Sequence, residues 1–209
     1  MLGLSISNYE HRKGFNMDMQ RILIIDDNTA IHEDFRKILD AQNNTDSNFE
    51  EIKIALFGGA TTVHVGKKFR IDFAYQGKDG FDMIKNAIDQ NDPYAMAFID
   101  VLMPPGWNGI ETVKHIWEVD PHVQIVLCAA SSGCSWEDIM KSIGQSDKLL
   151  LLRKPFDSME ASQLAYSLTE KWRLSKEVRE EIELLKEFLK ITVEFINDAV
   201  FLPEEKFNI

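Results

Sequence analysis

From Arg21 onward the apolar positions follow two alternating rhythms. RILIIDD is a continuous apolar run ending in two acids, as expected of a strand covered on both faces. NTAIHEDFRKILDA follows, with Ile31, Phe35, Ile38 and Leu39 at helical spacing. The alternation then repeats. FRIDFAYQ reads as a strand, and GKDGFDMIKNAIDQ as a helix with Phe81, Ile84 and Ile88 on one face. YAMAFID and VQIVLCAA read as further buried strands, with the helix GIETVKHIWEVD between them. SWEDIMKSIG is a helix opened by a Ser135/Asp138 capping box, and LLLLRKPF is the fifth strand. Between the first helix and the second strand, QNNTDSN is a loop by composition. FEEIKIALF fits a short helix, and GGATTVHVGKKF a loop or small hairpin. Five strands alternating with helices predict an α/β fold with a parallel sheet covered on both faces.

From Ser158 to about Val200 nothing breaks the helical pattern. Leu164, Leu168 and Trp172 form a first stripe, suited to packing on the sheet. A second stripe runs Val178, Ile182, Leu185, Leu189, Thr192, Ile196, Ala199, with spacings alternating four and three. This is a heptad seam interrupted by Thr192, and it predicts a coiled-coil pairing surface and a homodimer. The competing reading is a helix that folds back on its own domain, but no Pro or Gly before Pro203 helps it turn. The expected organisation is a tail over 1–20, a main domain over 21–172 with an insertion at about 41–68, a long helix over 173–202 and a tail over 203–209.

Composition narrows the function classes. The 209-residue chain carries a formal net charge of −11, which argues against direct nucleic-acid binding and against anionic membrane surfaces. No apolar run approaches a membrane span, and the N-terminal stretch lacks an apolar signal core. Two cysteines, Cys128 and Cys134, make no disulfide framework, so a cytoplasmic setting is expected. HEDFR, beginning at His32, lacks the second histidine of a zinc-protease motif; His11, His64, His115 and His122 are scattered and read as surface or loop groups. No glycine-rich phosphate loop or dinucleotide fingerprint occurs.

The chemistry gathers at the strand ends. Asp26 and Asp27 end the first strand, Asp100 ends the third, and Lys154, followed by Pro155, ends the fifth. In a parallel α/β sheet ligands bind at that edge, near the topological switch point. With strand order 2-1-3-4-5, strands one and three are neighbours and the three carboxylates share a pocket. Close carboxylates repel unless a cation joins them, and an all-oxygen site of this charge suits Mg²⁺. A carboxylate can serve as nucleophile toward a phosphoryl group while a metal ion and an ammonium neutralise its oxygens. The residues thus assign Asp100 as nucleophile, Asp26 and Asp27 as metal holders, and Lys154 as phosphate counter-ion.

Residues 21 to about 172 resemble the receiver domain of two-component response regulators, through the motifs IIDDN, FIDVLMPPGWNG and RKPF. More narrowly, the pattern DMI…PYAMAFIDVLMPPGWNGIET…SWEDI…KPFD…LTEKW is similar to receivers attached to hybrid histidine kinases and cyclic-dinucleotide signalling proteins. The resemblance implies a flavodoxin-like doubly wound five-stranded sheet. It also implies phosphorylation of Asp100, a Mg²⁺ contact from the Leu102 backbone carbonyl and a cis Lys154–Pro155 peptide. The implied partners are a sensor histidine kinase or a histidine phosphotransfer protein.

Two positions depart from the receiver pattern. Receivers place a Thr or Ser at the end of the fourth strand, and the ungapped strand puts Ala129 there; a one-residue shift would offer Cys128 and a two-residue shift Ser131. The fifth strand usually carries an aromatic where this chain has Leu151. The acceptor chemistry is retained and the switch is altered. The doubled Pro104–Pro105 also lengthens the turn after Asp100 by one residue.

The leading expectation is therefore a phospho-acceptor signalling protein that is no enzyme beyond promoting its own aspartyl phosphorylation and dephosphorylation. The alternative is a phosphorylation-independent scaffold that dimerises through its helix. A phosphatase of aspartate-nucleophile type ranks last, because Leu102 stands where such enzymes usually present a second acid.

Overall fold

Five strands form one parallel sheet: β1 (Gln20–Ile25), β2 (Phe69–Ala74), β3 (Met96–Asp100), β4 (Gln124–Ala130) and β5 (Leu149–Lys154). Their order is β2-β1-β3-β4-β5, the order expected from the sequence. The computed structural model describes residues 19–43, 69–130 and 136–200. The expected short helix and hairpin between residues 49 and 68, and the Ser135 half of the capping box, lie outside them.

The connections are α1 (Thr29–Asn43), α2 (Gly77–Asp89), α3 (Gly109–Val119) and α4 (Trp136–Ile143), and α5 (Ser158–Val200) follows the last strand. Strand side chains alternate between two cores, as a period of two requires. Leu23, Ile25, Ala97, Ile99, Ile125 and Leu127 join one core with Ile84 of α2, Val113 and Ile116 of α3 and Ile139 of α4. Ile22, Ile24, Met96, Phe98 and Val126 join the other with Phe35 and Leu39 of α1 and Ala161, Ala165 and Leu168 of α5. Burial on both faces explains why the strands read as unbroken apolar runs.

Helix α2 corrects one expected face. Ile84 is buried and Phe81 packs on the core, but Ile88 is 37% exposed, and the buried line runs Gly77, Gly80, Ile84, Ala87. The helix lies so close to β1 that a Cβ on Gly80 would stand 2.2 Å from Cδ1 of Ile25. Apolar periodicity does not register glycine, so the contact line fell one residue away from the expected one.

At the amino-terminal end of the sheet lies a charged cluster. Arg21 donates to Asp72 Oδ2 through Nη2 at 2.6 Å and Nε at 3.2 Å, and through Nη1 to the Asp92 backbone carbonyl at 2.9 Å. Its Nη2 also donates to the Tyr94 hydroxyl at 2.6 Å, which in turn donates to Asp72 Oδ2 at 2.8 Å. Arg70 pairs with Asp92. Burial, reinforced by the hydrogen bond to Asp72, pushes the Tyr94 phenol well above its ordinary range, so it stays protonated and donates.

The chain divides into two compact units, one ending at Thr169 and the other beginning at Glu170. In the second, Arg173 pairs with Glu170 and Glu177, and Lys176 lies over the Trp172 ring at 5.3 Å. The heptad seam is laid open: Val178, Ile182, Leu185, Leu189 and Ile196 are 46–61% exposed. Among the described residues no helix is long and apolar enough to cross a membrane.

Candidate functional site

Each predicted charged group arrives at the carboxyl edge at the end of a strand; β1 and β3 are buried, and the edge strand β5 is half-exposed. The hydrophobic run of β1 fixes Asp26, and that of β3 fixes Asp100 in the neighbouring strand. Lys154 ends β5, two strands from Asp100, and its four-carbon stem bridges the gap. Its ammonium donates to Asp26 Oδ2 at 2.6 Å and to Asp100 Oδ1 at 2.7 Å. Asp27 is exposed beside them, and one oxygen from each of Asp26, Asp27 and Asp100 lies within 4.8 Å of the others.

The turns complete the setting. Asp26 Oδ1 accepts from the Asn28 N–H at 2.9 Å, and Asn28 Oδ1 accepts from the Ala30 N–H at 3.0 Å, capping α1. Asp100 Oδ2 accepts from the Leu102 N–H at 3.2 Å. Helix α3 starts against the same turn, where the Gly109 N–H donates to the Val101 carbonyl at 3.0 Å. A Cβ on Gly109 would stand 2.3 Å from the Asp100 carbonyl oxygen, so only glycine permits this approach. Sequence reasoning did not assign Asn28 or Gly109 a place at the site. The cap pattern of N-T-A-I before the first helix was the available signal for Asn28, and the glycine opening GIET for Gly109.

Among the described residues three carboxylates gather around one ammonium, leaving two negative charges uncompensated. Burial by itself would lower the Lys154 pKa. Its hydrogen bonds and attraction to Asp100 and Asp26 outweigh that, and the pKa rises above the ordinary lysine value. The lysine is therefore held charged. An uncompensated, all-oxygen donor set is the chemistry that a hard divalent cation fits, and Asp26, Asp27 and Asp100 can supply it. A cavity of about 240 Å³ opens onto these groups and also reaches Leu102, Ala129 and Ala130.

Strand register separates the two switch candidates. Cys128 stands opposite Asp100, but its side chain belongs to the core beneath α1 and α5. Ala129, one residue on, points to the other face and lines the cavity without a hydroxyl. Ser131 lies outside the described residues. Leu151 is partly buried against the core that contains Ala129. Leu102 reaches the cavity, and its side chain is 58% exposed. Lys154–Pro155 is cis, as expected, and Pro104–Pro105 is cis as well.

No protein-family model matches the chain, and no curated protein sequence does. Solved structures do. A response regulator receiver domain protein from Methanospirillum hungatei matches with a TM-score of 0.52 and 18% identity, covering 75% of this chain and 98% of its own. A response regulator receiver protein from Sinorhizobium medicae matches with a TM-score of 0.53 and 17% identity over the same shares. A receiver domain protein from Clostridium thermocellum gives 0.53 and 14%, again covering 75% and 98%. The fold is that of a response-regulator receiver domain. Within the receiver fold, the Asp26–Asp27–Asp100–Lys154 group occupies the carboxyl edge of β1, β3 and β5.

Two histidines lie outside this group. His115, expected as a solvated group, stacks on Trp107 with ring centroids 4.3 Å apart, and Phe81 meets Trp107 edge-on at 5.8 Å. His32 is buried, its ring 4.9 Å from that of Phe73 and 4.8 Å from that of Tyr75.

Proposed function

We propose that this chain is a two-component receiver that accepts a phosphoryl group on Asp100 with the help of Mg²⁺ and acts through protein–protein contacts. The observation that carries the reading is the meeting of Asp100 with Lys154 at 2.7 Å in a site that two further carboxylates leave short of positive charge. The receiver spans residues 21–172 and the output element is the long helix that follows to Val200, which pairs two copies. By motif it is similar to receivers attached to hybrid kinases and cyclic-dinucleotide signalling proteins, and its setting is the cytoplasm.

The donor is a phosphohistidine on a sensor histidine kinase or a histidine phosphotransfer protein, or a small phosphodonor. An Asp100 carboxylate oxygen attacks phosphorus, forming a P–O bond while the P–N bond of phosphohistidine breaks, or, with acetyl phosphate, the P–O bond to the departing acetate. The departing imidazole nitrogen keeps the electron pair and takes a proton. Asp26, Asp27 and Asp100, with the Leu102 carbonyl, would hold the cation, which when bound supplies positive charge to offset the phosphoryl oxygens. Lys154, held protonated, supplies the counter-charge to a further phosphoryl oxygen. Asn28 keeps Asp26 oriented through its backbone N–H. The chain is no enzyme in the usual sense, since it turns over only its own aspartyl phosphate.

Ala129 favours a second reading. A switch hydroxyl contributes a hydrogen bond to a charged acceptor worth about 1.5–3 kcal/mol, and Ala129 has none to give. A phosphorylation-independent scaffold would keep the fold and the helix without the switch. Intact mass after incubation with acetyl phosphate and Mg²⁺ separates the two. Gain of one phosphoryl group, absent in Asp100→Ala and absent in EDTA, is the expected result. A folded protein that gains none in saturating Mg²⁺ establishes the scaffold.

A further inference from the structure

The open seam of the second unit carries its own instructions for pairing. In heptad terms Ile182, Leu189 and Ile196 take a positions, and Val178, Leu185 and Thr192 take d positions. In a parallel pairing, β-branched residues at a with leucine at d favour two strands; here two of the three a positions are isoleucine and one of the three d positions, Leu185, is leucine. The Thr192 hydroxyl is already satisfied, donating to the Phe188 carbonyl at 2.8 Å, so the residue can present its methyl to a partner.

The flanking positions set the direction. In a parallel, in-register pair, a g residue of one helix meets the e residue five places later on its partner. Glu181 at g then meets Lys186, and Phe188 at g meets Val193. Charge faces opposite charge, and apolar faces apolar. Reversing one helix sets g against g and e against e. Glu181 then faces Phe188 or Phe195, and the cations Arg179 and Lys186 share an edge with Val193. Phe188 is 65% and Val193 53% exposed, so both await cover. Lys186 already pairs with Glu183 at 3.2 Å, but both side chains are about two-thirds exposed or more, and such a pair holds a lysine weakly.

We propose that the occupant of the seam is the same helix of a second copy, aligned parallel and in register, with Glu181–Lys186 as the register-setting pair. The proposal rests on the reading that the helix pairs two copies, and adds its direction. In a full-length Cys134→Ser chain, Leu185→Cys should form a disulfide between copies within minutes of mild oxidation, while Leu184→Cys, at an outward c position, should not. Glu181→Lys should raise the dimer Kd roughly tenfold by setting lysine against lysine twice, and adding Lys186→Glu should restore it. Mass by sedimentation keeps the failures apart. A monomer at all concentrations overturns both the pairing and its direction. A dimer that does not cross-link at residue 185, or a tetramer, overturns the direction and stoichiometry alone. Failure of the charge swap to restore the Kd removes Glu181–Lys186 as the register-setting pair.

Discussion

The sheet carries a charged cluster at each end, and the two are built from similar groups. At the amino-terminal end Arg21 and Arg70 meet Asp72 and Asp92, two guanidinium groups for two carboxylates, with Tyr94 passing one hydrogen bond along. At the carboxyl end Lys154 pairs with Asp26 and Asp100, Asp27 lies beside them, and among the described residues three carboxylates gather around one ammonium. The first cluster is closed, since its charges answer one another and nothing need be added. The second stands two positive charges short. Charge balance, more than the number of charged groups, separates a cluster that holds a fold together from one that waits for a ligand.

The largest effect that tests this contrast is Arg21→Met. It leaves Asp72, Asp92 and Tyr94 without their common donor and should cost about 2–3 kcal/mol of folding stability. Urea denaturation measures it, and the loss should be the same in Mg²⁺ and in EDTA. A loss that Mg²⁺ repairs would join the two clusters and remove the contrast.

Next in size is the cation itself. At ten times its Kd, Mg²⁺ should stabilise the wild-type chain by about 1.4 kcal/mol through mass action, read as a higher Tm than in EDTA. The gain should vanish in Asp27→Asn and persist in Arg21→Met. In EDTA the contrast sharpens further. Removing a charge from the unbalanced cluster by Asp27→Asn should raise Tm by about 1–3 °C, where removing one from the balanced cluster lowers it.

The smallest effect belongs to neither cluster. Burial holds the His32 pKa below its ordinary value, against the opposing pull of Asp26. The unfolded chain therefore binds this proton more readily than the folded one, and stability is lost as pH falls below about 6.5 toward the folded value. His32→Phe should flatten that part of the stability–pH curve, and an unchanged slope would assign acid sensitivity to other groups.

Legibility in the sequence followed the same division. The open cluster was readable because each member sits at a strand's carboxyl end, where a general rule places ligands, and because buried apolar strands fix those ends closely. The closed cluster was not foreseen. Its members, at 21, 70, 72, 92 and 94, each look like ordinary surface polar groups, and only the pairing of Arg21 with Arg70 across β1 and β2 assembles them. Gly109 and Gly80 escaped for a related reason: their role is to have no side chain where another backbone or side chain comes close. The helix stripe at 178–196 was legible as a pattern, since a heptad is local, and its flanks carry the direction of pairing in the same local code.

The cavity over Asp100 is a solvent-open cleft of about 240 Å³. That is room for a hydrated ion and one phosphoryl group, and for little of whatever carries the phosphoryl group in. A site this small cannot recognise its donor by enclosing it. On the proposed function, the choice among kinases is made by the protein surface around the rim, so grafting rim residues should redirect which kinase is heard while leaving the chemistry at Asp100 untouched.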